Sequence, residues 1–261
     1  MGQLVYKYRN WGNDRHKEEL KSCHFTMVSP KKLNDPYDCA VPIAYDTLIT
    51  DPEERERFIY LQIKRSNPFL TSREAYEISK KEKDNPVYLN KEYIDDWNKK
   101  DVEKLRNMIV LFCGSLNSKD IKMWSHYANE HKGYCIGYSY GLLGDYIGTV
   151  GKKVRYEEYP KISPNDYWTD QFEKRLLSKG KQWEHEEEVR WYQRYTEDIY
   201  KIPFKYNTEI IQEVILGCQT SEEHKKEIIE TVKSHYPHLK TISQAKLKSN
   251  EFGLDFETIT I

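Results

Sequence analysis

Tyr6 and Tyr8 alternate with Lys7 and Arg9, and this period of two predicts a strand over 4–9. A short helix near 13–21 and a second strand over 24–28 follow. Residues 29–38, Ser-Pro-Lys-Lys-Leu-Asn-Asp-Pro-Tyr-Asp, carry the turn chemistry of a rigid loop. Over 51–107 the pattern changes. Asp51-Pro52 is a good helix start, with proline at the first helical position. Glu and Lys then dominate, while Ile94, Trp97, Val102, Leu105 and Met108 make one helical stripe. Two or three helices are expected here as a charged insertion. The run from Met108 to Cys113 returns to strand, and Ser118 is placed to cap a helix over 119–129. Strands are expected over 133–140 and 150–156, then a helix near 166–179 and an alternating strand over 187–194. A buried strand over 210–216 stops at Gly217, a helix covers 221–235, and strands near 239–246 and 252–260 follow. The interleaving is irregular, with strand–strand neighbours late. This favours the α+β class, a mixed and mainly antiparallel sheet with flanking helices. With no repeat or linker in sight, 1–261 reads as a single domain carrying the helical insertion 51–107.

Composition narrows the classes. Charged residues are 32% and hydrophobic residues 38% of 261, a polar balance, yet aromatics reach 13% with 21 Tyr and 6 Trp. Disordered chains are poor in aromatics, and tyrosine contributes apolar surface to a core. Lys+Arg is 41 against Asp+Glu 42, so no net charge drives the chain towards nucleic acid or acidic membranes. No apolar run approaches the ~20 residues of a membrane span, and residues 1–9 lack a signal peptide's apolar stretch. The five cysteines are odd in number and contain no C-x-x-C pair, so neither a disulfide framework nor a zinc ribbon is indicated. A soluble, reduced, cytoplasmic protein is expected, with no membrane partner and no metal.

Four constellations carry candidate chemistry. Lys7 and Arg9 share one strand face, opposite Tyr6 and Tyr8, where a fixed guanidinium can hold a phosphate or carboxylate. Asn34-Asp35-Pro36-Tyr37-Asp38 reads as a turn, or as an Asp pair that orients a cation. The third is 115–137. On its helix Met123, Tyr127, Trp124, Ala128 and Ile121 form the core face; His126 falls on the polar side and Ser125 at the boundary. His126 and His131 are not at metal-pair spacing. Beyond them Cys135 and Gly137 share a small-residue face that permits close approach of a backbone or ligand. The fourth is Trp183 to Trp191. Glu186, Glu188, Arg190 and Tyr192 are expected on one strand face, with Val189 and Trp191 on the other. Two carboxylates and a guanidinium in reach of one another suit proton transfer or stabilisation of positive charge; the competing reading is an ion-paired strand.

Together these blocks resemble the bacterial domain-of-unknown-function family 2971. Its pattern is a Tyr-Lys-Tyr-Arg strand, an Asn-Asp-Pro-Tyr-Asp loop, a Trp-Ser-His-Tyr-Ala helix, His-x-Gly-x-Cys-Ile-Gly and a late Trp-x-x-Glu-x-Glu-x-Arg. Here these are Tyr6 to Arg9, Asn34 to Asp38, Trp124 to Ala128, His131 to Gly137, and Trp183, Glu186, Glu188 and Arg190. The order of an early-strand Arg, a Ser-bearing strand end and a late Glu-x-Glu is also similar to the ADP-ribosyltransferase superfamily. That similarity implies NAD as co-substrate: Arg9 on the dinucleotide, Ser115 shaping the nicotinamide pocket, and Glu188 at the ribose with Glu186 as its pair. The segment Cys113-Gly114-Ser115-Leu116-Asn117-Ser118 departs from that superfamily's Ser-x-Ser.

Three functions compete. The first is an NAD-using ADP-ribosyltransferase or NAD glycohydrolase, in bacterial conflict or phage defence. It uses Glu188, Glu186 and His126 for catalysis, and Arg9, Lys7, Ser115, Ser125, Tyr127, Tyr134 and Arg190 to hold the cofactor. Tyr127 or Tyr134 would stack on nicotinamide. The second is an NAD-independent hydrolase or nuclease using His126, His131 and Glu186. The third is a sensor module that binds a nucleotide, peptide or nucleic-acid end without catalysis.

Overall fold

A computed structural model describes residues 2–195 and 201–261. In chain order the strands are β1 (Leu4–Arg9), β2 (His24–Val28), β3 (Ile109–Ser115), β4 (Tyr134–Ser139), β5 (Lys152–Lys153), β6 (Arg155–Glu157) and β7 (Ser178–Gly180). They continue with β8 (Glu188–Arg194), β9 (Lys201–Lys205), β10 (Ile211–Leu216), β11 (Thr241–Leu247) and β12 (Leu254–Thr260). The helices are α1 (Asp14–Lys21), α2 (Thr47–Thr50), α3 (Pro52–Ser66), α4 (Ser72–Glu82), α5 (Lys91–Asn107), α6 (Ile121–Tyr127), α7 (Tyr140–Ile147), α8 (Trp168–Leu177) and α9 (Glu222–His235). The class is α+β, as the interleaved pattern predicts.

The chain divides into two compact units. The first comprises Met1–Lys32, Met108–Tyr156 and Gly180–Ile261. Its sheet runs β12-β11-β10-β4-β1-β3-β2-β9, with β8 paired along β3 and β5 beyond β8. Every pairing is antiparallel except β10 with β11, which the crossover helix α9 connects. β3 is almost wholly buried, which explains its unbroken apolar run. Local signals fix the helix ends: Asn13 accepts from the amides of Arg15 and His16, and Ser221 accepts from that of His224.

The sheet has two distinct faces. On one, Val5, Phe112, Tyr134, Ile136, Tyr138, Val189 and Trp191 pack with Leu20 of α1 and Ile228 and Val232 of α9. On the other, Tyr8, Cys135, Ile215 and Ala245 pack under Met123, Trp124 and Ala128. This second core is small, and Tyr6 and Tyr127 lie half-buried at its edge.

The second unit comprises Leu33–Asn107 and Glu157–Lys179. It takes in more than the helical stretch 51–107, adding the 33–50 segment and α8. Asp51 caps α3 through the amides of Glu53 and Glu54, with Pro52 opening the helix as expected. Phe58, Ile59 and Ile94 build its core, and Tyr45 stacks on Trp97 at 4.7 Å. The Asn34–Asp38 loop is a turn: Asp35 accepts from the Tyr37 amide at 2.9 Å, and buried Asp38 lies 3.7 Å from Lys179.

Three sequence expectations shift. α7 fills the stretch between the strands expected over 133–140 and 150–156, where no element was expected, and takes only Tyr140 from the first of them. Ser118 is not the cap of α6; Asp120 is, accepting from the Met123 amide at 2.9 Å. α6 also ends at Tyr127, because Asn129, Glu130 and His131 all adopt positive φ and turn the chain left-handed. No helix among the described residues is long and apolar enough to cross a membrane.

Candidate functional site

Strand register decides which side chains meet. Ser115, at the end of β3, pairs with Tyr6 of β1 on one edge and with Glu188 of β8 on the other. Directly opposed residues share a face, so Tyr6, Ser115 and Glu188 form one row. Arg190 sits two residues on from Glu188, opposite Cys113, and therefore faces the same way.

Glu188 and Arg190 lock together. The guanidinium donates from Nε at 2.8 Å and from Nη2 at 2.9 Å, one bond to each carboxylate oxygen. Glu188 is 6% exposed and Arg190 0%. The Glu188 amide donates to the Tyr156 hydroxyl at 2.7 Å. Burial, with Glu188 beside it, pushes the Cys113 thiol well up, which disfavours its thiolate.

Simple alternation places Glu186 on the strand face of Glu188 and Arg190, but the structure does not. It ends a 3₁₀ turn over Lys181–Glu186, and Glu187 takes a left-handed conformation, φ 42° and ψ 47°. This kink swings Glu186 out of the alternation. Its carboxylate instead accepts from the Tyr127 hydroxyl of α6 at 2.6 Å. The kink is held from both sides. The Glu187 carbonyl accepts from the Leu116 amide at 3.0 Å, and its carboxylate accepts from the Asn117 side chain at 2.8 Å.

Ser115 is drawn into a turn. Its hydroxyl donates to the Asn117 carbonyl and accepts from the Asn117 amide, both at 3.0 Å. The Tyr8 hydroxyl also donates to that carbonyl, at 2.6 Å. The Ser118 carbonyl accepts from the Trp124 indole at 2.8 Å, which pins α6 over the sheet. Met123 and Trp124 of α6 and Ala128 just beyond it are buried as the helical wheel predicts, but Ile121 is exposed. Ser125 and His126 are exposed. His131 is buried and stacks on Trp124 at 6.4 Å; burial lowers its pKa. The two histidines thus have opposite environments.

Lys7 and Arg9 occupy the other face of the sheet. Arg9 pairs with buried Glu19 of α1 at 2.7 Å. Burial opposes the Arg9 charge, but Glu19 more than restores it and the pKa rises. The Lys7 ammonium donates to the Cys113 carbonyl and lies 5.1 Å above the Phe112 ring. Burial, and then the nearby Arg9 charge, lowers its pKa. Tyr134 is on this face too, its hydroxyl donating to the His16 carbonyl at 2.7 Å.

The structure therefore brings together Ser115, Glu188, Arg190, Tyr127 and Glu186 around the end of β8, and keeps Arg9, Lys7 and Tyr134 apart from them. Sequence reasoning passed over Asn117, Tyr156 and Glu213. Only Glu213 had a signal: the small face of Cys135 and Gly137 lies beside it. Among the described residues no group of three or more His, Cys, Asp or Glu side chains is arranged to hold a metal ion. The chain matches no family model, no curated protein and no solved structure.

Proposed function

We propose that the Glu188 face is the working face of an NAD-cleaving enzyme similar to ADP-ribosyltransferases, acting as a transferase or as an NAD glycohydrolase. The observation that carries this reading is the shared row of Ser115 and Glu188 on adjacent strands, with Glu186 and Tyr127 beside it. Breaking the bond between ribose C1′ and the nicotinamide nitrogen leaves positive charge on the sugar. A carboxylate fixed next to that carbon stabilises the charge as it develops. Arg190 fixes the orientation of the Glu188 carboxylate. Nicotinamide leaves with the bonding electron pair, and water or a target nucleophile forms the new bond to C1′ and loses its proton. The Tyr127 hydroxyl, held by Glu186, offers a polar edge and a ring face to the departing base. Arg9 and Lys7 have no part here; they hold α1 and β3 to the sheet.

The test is nicotinamide release from NAD by wild type and Glu188→Gln, with and without cell lysate. Release by wild type and at least about a hundredfold less by the variant is expected. Dependence on lysate identifies transfer, and independence identifies hydrolysis. Equal release by both proteins removes Glu188 from the mechanism.

A second reading has its own support. Glu188 is engaged by two guanidinium bonds and Glu186 by a phenol, and both are buried. Carboxylates bonded in this way also suit a binding module that recognises a nucleotide without cleaving it. A rise in Tm with NAD or ADP-ribose, without nicotinamide release, would select it.

A further inference from the structure

The row that carries Ser115 and Glu188 continues across the sheet. Tyr6 pairs with Gly137 of β4, and Gly137 pairs with Glu213 of β10. Gly137 supplies no side chain. A methyl group there would lie 3.0 Å from the Glu213 Cβ and 3.2 Å from the Tyr6 ring. The gap lets Tyr6 reach across β4 to Glu213, where its hydroxyl donates to Oε2 at 3.2 Å. Ser243 of β11 donates to Oε1 at 3.4 Å.

These are long bonds from neutral donors. An ionised carboxylate has about four acceptor sites, and no lysine, arginine or histidine among the described residues pairs with Glu213. Glu213, Tyr6 and Ser243 are each partly exposed. Burial and the neighbouring Glu213 push the Tyr6 pKa up to about 12, so the phenol stays a donor. A half-buried carboxylate without a cation, presented to hydroxyl groups at each oxygen, has spare capacity for a ligand that donates.

We propose that Glu213, flanked by Tyr6 and Ser243 over the Gly137 gap, is a subsite for the vicinal diol of a ribose. Two adjacent hydroxyls match the two oxygens of a carboxylate, as when an acidic side chain holds the ribose of a dinucleotide. Four strand spacings separate Glu213 from Glu188, about 19 Å between backbones at roughly 4.8 Å each. That span suits the two sugars of a dinucleotide rather than one nucleoside. Naming the ligand as the far ribose of NAD rests on the function proposed above; the diol recognition itself does not.

The experiment is calorimetric titration of the full chain with ADP-ribose, with adenosine and with the dideoxy analogue of adenosine lacking both ribose hydroxyls, alongside nicotinamide release. Wild type should bind adenosine at least about tenfold more tightly than the dideoxy analogue. Glu213→Gln, which keeps an acceptor for Tyr6, should erase that difference and weaken ADP-ribose by a similar factor. Ser243→Ala guards against misfolding of the first variant and should erase part of it. Equal affinity for the two nucleosides, no nucleoside binding, or a diol preference that survives Glu213→Gln overturns the subsite. Diol-dependent binding without nicotinamide release overturns the catalytic reading and keeps the subsite. Release with diol-independent affinity does the reverse.

Discussion

Arg9 and Glu188 lie on opposite faces of one sheet. Tyr6 is in register with Ser115, and Ser115 with Glu188, while Arg9 falls on the alternate face of β1 and pairs with Glu19. A guanidinium and a carboxylate that would grip one dinucleotide from both ends are thus separated by the thickness of the sheet. Each belongs to its own buried ion pair, and the two pairs give distinguishable predictions.

Removing Arg9 should affect folding and not chemistry. Arg9→Ala strands the Glu19 carboxylate in the core and should lower stability by about 3–5 kcal/mol. Replacing both partners, Arg9→Met with Glu19→Leu, should recover most of that loss. Urea denaturation gives the stabilities. Nicotinamide release per folded molecule should be the same in the double variant as in wild type.

Removing Arg190 should affect both. Arg190→Ala leaves Glu188 buried without its guanidinium, which should lower stability by about 3–5 kcal/mol. The carboxylate also loses the two guanidinium bonds that orient it, so release should fall even at temperatures where the variant is folded. Denaturation midpoints together with initial rates separate the two effects.

Acid should weaken the first unit through His16. Burial, and then the charge of Arg9, holds the His16 pKa down to about 4 against its ordinary 6.5. Above pH 6.5 the ring is neutral in both states and contributes no slope. Between about 6.5 and about 4 the unfolded chain takes up a proton that the folded chain refuses, so stability falls with pH. Denaturation midpoints measured across that window should decline for wild type and decline less for His16→Gln. Parallel curves would remove His16 as the source.

Gly133→Ala should be among the most damaging single-methyl changes. The added carbon would lie 2.1 Å from the Arg9 carbonyl and 2.9 Å from that of Ala128, both backbone atoms. Neither atom can swing aside as a side chain does. A loss of about 3 kcal/mol or more is expected, read as a drop in Tm.

What was legible in the sequence is local. Asp51-Pro52 marked the start of α3 and Gly217 the end of β10, because capping and turn chemistry act within a few residues. The α7 helix escaped notice because Gly141 and Gly144 lower its propensity, and burial of Leu143 and Ile147 supplies the compensation. Glu186 left the predicted strand face because Glu187 is left-handed, a conformation with no signature in a glutamate. The site depended on register between distant strands. Alternation correctly put Lys7 and Arg9 together and apart from Tyr6 and Tyr8, but only the pairing through Ser115 reveals which of these faces holds Glu188.

The division of the first unit into three chain segments has a consequence for the order of assembly. Tyr8 bonds to Asn117 across a separation of 109 residues, and β1 has no earlier strand partner than β3. The central strand therefore leaves the ribosome long before its neighbours exist. With so many contacts spanning long stretches of chain, the sheet should form slowly and late. The second unit has α2 to α5 complete by Asn107, with only α8 to follow. Newly made chains would carry an open strand edge for much of synthesis, an interval in which edge-to-edge aggregation competes with folding.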